Sequence, residues 1–128
     1  MLDIKRQASF GKVVYQLKGR IDGQSAEPLY VQIAKAEGAG MKSLTLSLAN
    51  VDFVSSAGIR TFIKITRFCK ELGASFAVTA MQPGVAKIFE IAKALPMTSV
   101  FASDAEADAY FEAMAKKANR GGKGDEDD

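Results

Sequence analysis

Between Ser43 and Leu72 the spacing of apolar residues changes period once, and that change constrains the fold more than any other feature of the chain. Leu44, Leu46 and Leu48 alternate with Ser43, Thr45, Ser47 and Ala49, the period of a half-buried strand. Ile59, Phe62, Ile63, Thr66, Cys69 and Leu72 then follow a helical stripe ended by Gly73, with Arg60, Lys64, Arg67, Lys70 and Glu71 lying away from it. A strand from Ser43 to Asn50 therefore runs into an amphipathic helix across Val51 to Arg60. Two serines, Ser55 and Ser56, stand where that helix begins.

The same succession surrounds this junction. Leu2 to Gln7 and Lys12 to Gly19 read as strands joined by a hairpin at Gly11, the second presenting Val13, Tyr15 and Leu17 on one face. A loop over Gly19 to Ser25 leads to a helix from about Ala26 to Glu37, whose stripe is Ala26, Leu29, Tyr30, Ile33 and Ala34. Ser75 to Thr79 is a short strand. Pro83 opens a third helix reaching about Ala92, since a first-turn proline lacks only an N–H that would be unpaired there. Thr98 to Phe101 fits a last strand. Ser103-Asp104-Ala105-Glu106 opens a helix expected to reach Lys117 and to bury Ala105, Ala109, Tyr110 or Phe111, and Ala113 or Met114.

Alternation of strand and helix predicts an α/β fold with parallel strands, right-handed crossovers and one hairpin strand at an edge. The small residues on the second face of Ser43 to Asn50 suit close helix packing. The chain of 128 residues, 48% hydrophobic, is long enough for one core without disulfides or a structural metal. Residues 1–118 are expected to form the single domain. Residues 119–128, glycines followed by carboxylates, are expected to form a disordered tail.

Composition narrows the chemistry. The absence of histidine excludes Ser-His-Asp and Cys-His catalysis and histidine metal sites. The lone Cys69 offers neither a disulfide nor a thiolate cluster, and reads as a small core residue of a reducing, cytoplasmic protein. Mixed charges summing to +2 leave no footprint for nucleic acid. No apolar run approaches the roughly 18 residues of a membrane span, so direct membrane insertion is not expected. No cofactor or metal is expected either.

In parallel α/β units all strand-to-helix turns emerge at one end of the sheet. Asp22, Ser25, Asp52, Ser55, Ser56 and Gln82 are thereby expected at one pole. Ser55 and Ser56 stand at a helix N-terminus, which favours negative charge. The same serines also suit plain N-capping, Gly58 close packing, and Asp22 a turn bonded to its own backbone. Arg60, Lys64, Arg67 and Lys70 form an exposed basic stripe that suits either solvent or an acidic partner.

The segment Asp52-Phe53-Val54-Ser55-Ser56-Ala57-Gly58-Ile59-Arg60 resembles the signature of the STAS domain, found in bacterial anti-sigma factor antagonists. Gly19-Arg20-Ile21-Asp22-Gly23-Gln24-Ser25-Ala26 is similar to that family's earlier motif, and the likeness runs roughly from Lys12 to Phe101. It implies a small mixed, mostly parallel sheet with about four helices packed on one side. It also implies a mechanism without catalysis by this chain: a serine is phosphorylated by a partner that is both anti-sigma factor and serine kinase, and a separate phosphatase reverses this.

By position Ser56 matches the phosphorylated serine, with Ser55, which stands where many members have aspartate, as the alternative acceptor. The resemblance implies a partner-binding surface of Asp22, Ser25, Asp52, Ser55, Ser56, Gly58, Arg60 and Gln82. Phosphate adds roughly 1.5 to 2 negative charges, so a partner shaped to a neutral serine would meet an unpaired charge beside Asp22 and Asp52. Another class open to a STAS domain is a subunit of a membrane transport complex docking on its ATPase, with no phosphate cycle. A nucleotide-binding or sensory domain would use the same helix N-termini as an anion site.

Overall fold

The computed structural model describes residues 2–95 and 99–124. The elements are β1 (Leu2–Ser9), β2 (Lys12–Ile21), α1 (Ala26–Ala36), β3 (Ser43–Val54), α2 (Ser56–Leu72), β4 (Ser75–Thr79), α3 (Pro83–Ala92), β5 (Val100–Phe101) and α4 (Asp104–Gly124). The sheet order is β1-β2-β3-β4-β5. β1 is antiparallel to β2, and every later pair is parallel, which gives the expected mixed, mostly parallel sheet with its hairpin strand at the edge. Phe10 and Gly11 both take positive φ, 50° and 85°, as a two-residue hairpin turn requires.

Register sorts the side chains. Leu44 pairs with Val13 and Phe76, and Leu46 with Tyr15 and Val78, so these residues and Leu48 line one face. Leu29 and Ile33 of α1, Phe62, Ile65 and Cys69 of α2, and Val85 and Phe89 of α3 pack there in one core. The Phe62 and Phe89 rings meet edge to face at 4.9 Å. Gly73, at φ 72°, ends α2, and Ala74 N–H donates back to the Cys69 carbonyl.

α4 lies on the other face, which corrects the expectation that all the helices pack on one side. Ala107 and Phe111 form a separate cluster with Ala77, which pairs with Thr45 on the face opposite the leucines. Thr79 Oγ1 donates to Asp104 there. The physical reason is the run Ser43, Thr45 and Ser47, all buried, whose small side chains let a helix approach closely. The helix start is the expected one, with Glu106 N–H donating to Ser103 Oγ and Glu106 Oε1 accepting from Ala102 N–H.

Its buried stripe differs from expectation. Ala107 and Phe111 are buried and Tyr110 half-buried, while Ala105, Ala109, Ala113 and Met114 are exposed, because alanines recur on several sides of this helix and mark none of them. The helix continues to Gly124, past the expected end at Lys117. Thr98 and residues 125–128 of the expected strand and tail lie outside the described residues.

β2 and β3 also run further than expected, to Ile21 and Val54. The register moves from Gln16 opposite Ser47 to Lys18 opposite Asn50, and again from Gly19 opposite Val51 to Arg20 opposite Phe53. Each step inserts one extra residue in β3, a bulge that turns the strand. The alternation is thus broken, and both Leu48 and Val51 face the core. The expected loops Gly19 to Ser25 and Asn50 to Ser56 shrink to Asp22–Ser25 and to Ser55.

Candidate functional site

The two extended strand ends carry the site. Asp22 organises the turn after β2: its Oδ1 accepts from the N–H groups of Gln24 and Ser25 at 3.0 and 3.2 Å. The backbone bond from Gln24 leads in holding the Asp22 carboxyl below its usual range, against a smaller opposing effect of burial; Ser25 and the Arg20 charge add to the lowering. Ser25 Oγ donates to the Arg20 carbonyl at 2.7 Å and accepts from Asp22 N–H at 3.0 Å, so its side chain closes the turn rather than capping α1. Asp22 and Ser25 thereby act as turn formers.

Ser55 is the N-cap of α2. It is extended at φ −91°, ψ 177°, and its Oγ accepts from Gly58 N–H at 3.3 Å. Ser56, the first residue of the helix, is exposed and its hydroxyl makes no hydrogen bond among the described residues. The two serines, equivalent in sequence, are thus different in place. Ser55 N–H donates to the Ile21 carbonyl at 2.9 Å, joining the two motif segments.

Gly58 is buried, and a Cβ there would stand 2.8 Å from both Ile21 O and Val54 Cγ1. Its part is to let α2 reach the strand ends. Asp52 and Arg60 are exposed. Gln82 is not brought to the serines: β4 ends at Thr79 opposite Ser47, and Gln82 Nε2 donates to the Ala49 carbonyl at 3.0 Å, lower on β3.

Two hollows flank the junction. One, of about 380 Å³, is bordered by Asp22, Ser25, Leu2 and Pro28. The other is an open groove of about 610 Å³ whose walls include Phe53, Ser55, Ser56, Ile59, Arg60, Ile88 and Ile91. Ile91 is 72% exposed, whereas most large apolar side chains among the described residues are buried or half-buried.

Several of these residues escape the sequence reading. Arg20 sits with its guanidinium carbon 4.3 Å from the Phe53 ring centroid and its Nε 3.8 Å from Asp22 Oδ2, linking the two motifs. Both residues lie within the quoted motif segments, so position gave a signal that residue type did not. Ile88 and Ile91 come from α3, and only folding brings them to Ser56. Among the described residues no group of three or more His, Cys, Asp or Glu is arranged to hold a metal ion. No described helix is long and apolar enough to cross a membrane.

With this geometry in view, the known proteins it is similar to form a consistent set. BtrV of Bordetella bronchiseptica, provisionally named an anti-sigma factor antagonist, is 27% identical over 101 residues, covering 79% of this chain and 87% of that one. The Bacillus anti-sigma factor antagonist SpoIIAA shares the fold in two forms. In its unphosphorylated form the TM-score is 0.74 at 16% identity over 87% of this chain and 97% of that one. In its phosphorylated form it is 0.66 at 16% identity, over 84% and 97%. The murine anion transporter Slc26a9 contains the same fold: 84% of this chain superposes on 18% of the transporter chain, with TM-score 0.68 and 20% identity. The STAS domain family model matches residues 2–107, spanning the hairpin, both motif segments, the groove and the start of α4; the chain belongs to the STAS domain family.

Proposed function

We propose that this chain is an anti-sigma factor antagonist whose unphosphorylated form binds an anti-sigma serine kinase and so releases a sigma factor. Phosphorylation of Ser56 blocks that binding, and a serine phosphatase restores it. One observation carries the reading: Ser56 presents an exposed, uncommitted hydroxyl at the first residue of α2, on the wall of an apolar groove. The neighbouring Ser55 is committed to its cap, which favours Ser56 as acceptor. The resemblance to BtrV supports the partner class.

In the transfer, Ser56 Oγ bonds to the γ-phosphorus of a nucleoside triphosphate held by the kinase. The bond from that phosphorus to the leaving nucleoside diphosphate breaks, and the hydroxyl proton passes to a base of the kinase. This chain is the substrate and the ligand, works in the cytoplasm and catalyses nothing itself. The groove residues Phe53, Ile59, Ile88 and Ile91 supply apolar contact to the kinase, with Asp22, Asp52 and Arg60 as polar surroundings. A phosphate entering that contact adds roughly 1.5 to 2 negative charges that the complex must desolvate.

That the anion transporter Slc26a9 contains the same fold supports a link of this fold to membrane transport; the second reading is a STAS subunit docking on the ATPase of a membrane transport complex without a phosphate cycle. Intact-mass and fragment mass spectrometry of the protein from its native host, beside a Ser56→Ala variant, separates the two. Phosphate mapped to Ser56 and absent from the variant is expected. Phosphate on Ser55 keeps the switch and moves its residue. No phosphate under any growth condition, and none added by a candidate partner kinase with ATP, puts the transport reading first.

A further inference from the structure

Ser56 and Arg60 are four residues apart on α2 and border the same groove. That spacing sets their Cβ atoms about 5 to 6 Å apart, with the serine on the N-terminal side. Arg60 is exposed and makes no ion pair or hydrogen bond among the described residues. Its cationic neighbours are differently placed. Lys64, one turn on, is held by Glu27 Oε1 at 2.7 Å and lies 4.4 Å from the Tyr30 ring centroid. Arg20 is taken up by Asp22 and Phe53. The first turn of α2 has no acidic residue, and Ser55 occupies the cap, so no carboxylate of that turn competes for the Arg60 guanidinium.

We propose that Arg60 is a built-in clasp for a phosphate on Ser56, its guanidinium fork donating to two phosphoryl oxygens across the wall of the groove. The inference rests on Ser56 being the modified residue and deepens that reading. Phosphorylation then does two things at one place: it sets a charge at the groove, and it draws Arg60 away from any carboxylate the partner offers. The phosphorylated chain is left with Arg60 and the phosphate paired to each other. Ser55 does not serve equally, because its Oγ faces Gly58 N–H and it is five residues from Arg60 rather than one turn.

The test installs phosphoserine at position 56 by genetic encoding in the otherwise native chain, and beside Arg60→Gln and Arg60→Lys, and follows the phosphorus NMR shift against pH. A clasp lowers the second phosphate pKa of the native-sequence protein by about 0.3 units or more relative to Arg60→Gln. Arg60→Lys falls between, since an ammonium supplies the charge without the fork. The same titrations in denaturing urea should coincide, showing that the difference belongs to the folded helix. Folded-state titrations that superimpose for native sequence and Arg60→Gln overturn the clasp, and so does a lower pKa in Arg60→Gln. Because no kinase installs this phosphate, the two readings fail separately: an unphosphorylated Ser56 in the native host removes the switch, and superimposed titrations remove the clasp.

Discussion

The N–H of Ser55 donates to the carbonyl oxygen of Ile21 at 2.9 Å, so the end of β2 holds the residue that caps α2. The same carbonyl lies against Gly58. Three consequences meet at this point. The Asp22 turn and the serine pair are fixed relative to each other, Arg20 is brought over Phe53, and the first turn of α2 faces the groove shared with α3. The arrangement of the two motif segments therefore rests on backbone contacts.

Gly58→Ala should destabilise the protein, against the usual trend. Alanine in a helix interior ordinarily gains about 1 kcal/mol over glycine. Here the added Cβ would stand 2.8 Å from Ile21 O and from Val54 Cγ1, and backbone has to move. A net loss of about 1 to 3 kcal/mol is expected from overpacking of this kind. Gly84, near the start of α3, has nothing within 4 Å of a built Cβ, so Gly84→Ala should gain about 0.4 to 1 kcal/mol. Urea denaturation of both variants reads the opposite signs; equal gains would show that α2 is not seated as tightly as described.

Ser55→Ala and Ser56→Ala should separate stability from signalling. Removing the cap that accepts from Gly58 N–H costs about 0.5 to 2 kcal/mol. Ser56 is exposed, so its loss should stay within about 0.5 kcal/mol of native. Thermal unfolding beside phosphate incorporation by a candidate kinase with ATP makes the comparison. Ser55→Ala is expected to be less stable yet still modified, and Ser56→Ala to be fully stable and unmodified. The reverse pattern would exchange the roles of the two serines.

Much of this arrangement is legible in the chain itself, for physical reasons that differ by element. Leu44, Leu46 and Leu48 declare a strand because one face is buried in apolar contact, and Pro83 marks the start of α3 because it fits a first turn. Gly73 marks the end of α2 because a left-handed cap favours glycine. The strand ends are less legible, since the two extra residues in β3 flip the alternation just where Asn50 suggests a loop. α4 is misplaced because small residues at Thr45 and Ala77 announce close packing without saying which helix supplies it. Ile88 and Ile91 reach Ser56 through the packing of α3 on β3, a non-local contact that no periodicity records. Gln82 fails to reach the site because β4 stops short of the strand ends.

Ala77→Leu should loosen α4 while leaving the larger core whole. Ala77 is fully buried between the sheet and the helix, in a cluster with Ala107 and Phe111 that is separate from the main core. Inserting a larger side chain into such a contact costs about 1 to 3 kcal/mol. Amide hydrogen exchange should show faster exchange in the first turns of α4, with α2 and β3 protected to nearly their native extent. Uniform loss of protection across both faces would mean that α4 and the main core unfold as one unit.

Far from the serines, Glu37 ties the α1 end to the hairpin and should set an acid limit on stability. Its carboxylate accepts from Arg6 Nε at 2.6 Å, Arg6 Nη2 at 3.1 Å and the Tyr15 hydroxyl at 2.6 Å, and its side chain is 3% exposed. Burial disfavours the charge, but the hydrogen bonds from Arg6 and Tyr15 and the Arg6 charge together outweigh it, so the Glu37 carboxyl titrates below its ordinary value of 4.5. A depressed folded value means that the unfolded chain takes up the proton first as pH falls. The Glu37 contribution is therefore present above about pH 4.5 and is lost as pH drops through the folded value. Tyr15 acts at the other end: burial, then its bond to Glu37, pushes the hydroxyl above its ordinary 10.0, so its contribution is present below pH 10 and fades as pH rises beyond it. Glu37→Gln should cost about 1 to 3 kcal/mol at neutral pH, moderated because Arg6 is 39% exposed and regains water. In urea unfolding from pH 2 to 8, the native protein should lose stability more steeply below pH 4.5 than the glutamine variant, and the two curves should converge in acid. Parallel curves across that range would mean that Glu37 keeps the same proton affinity in the folded and unfolded chains.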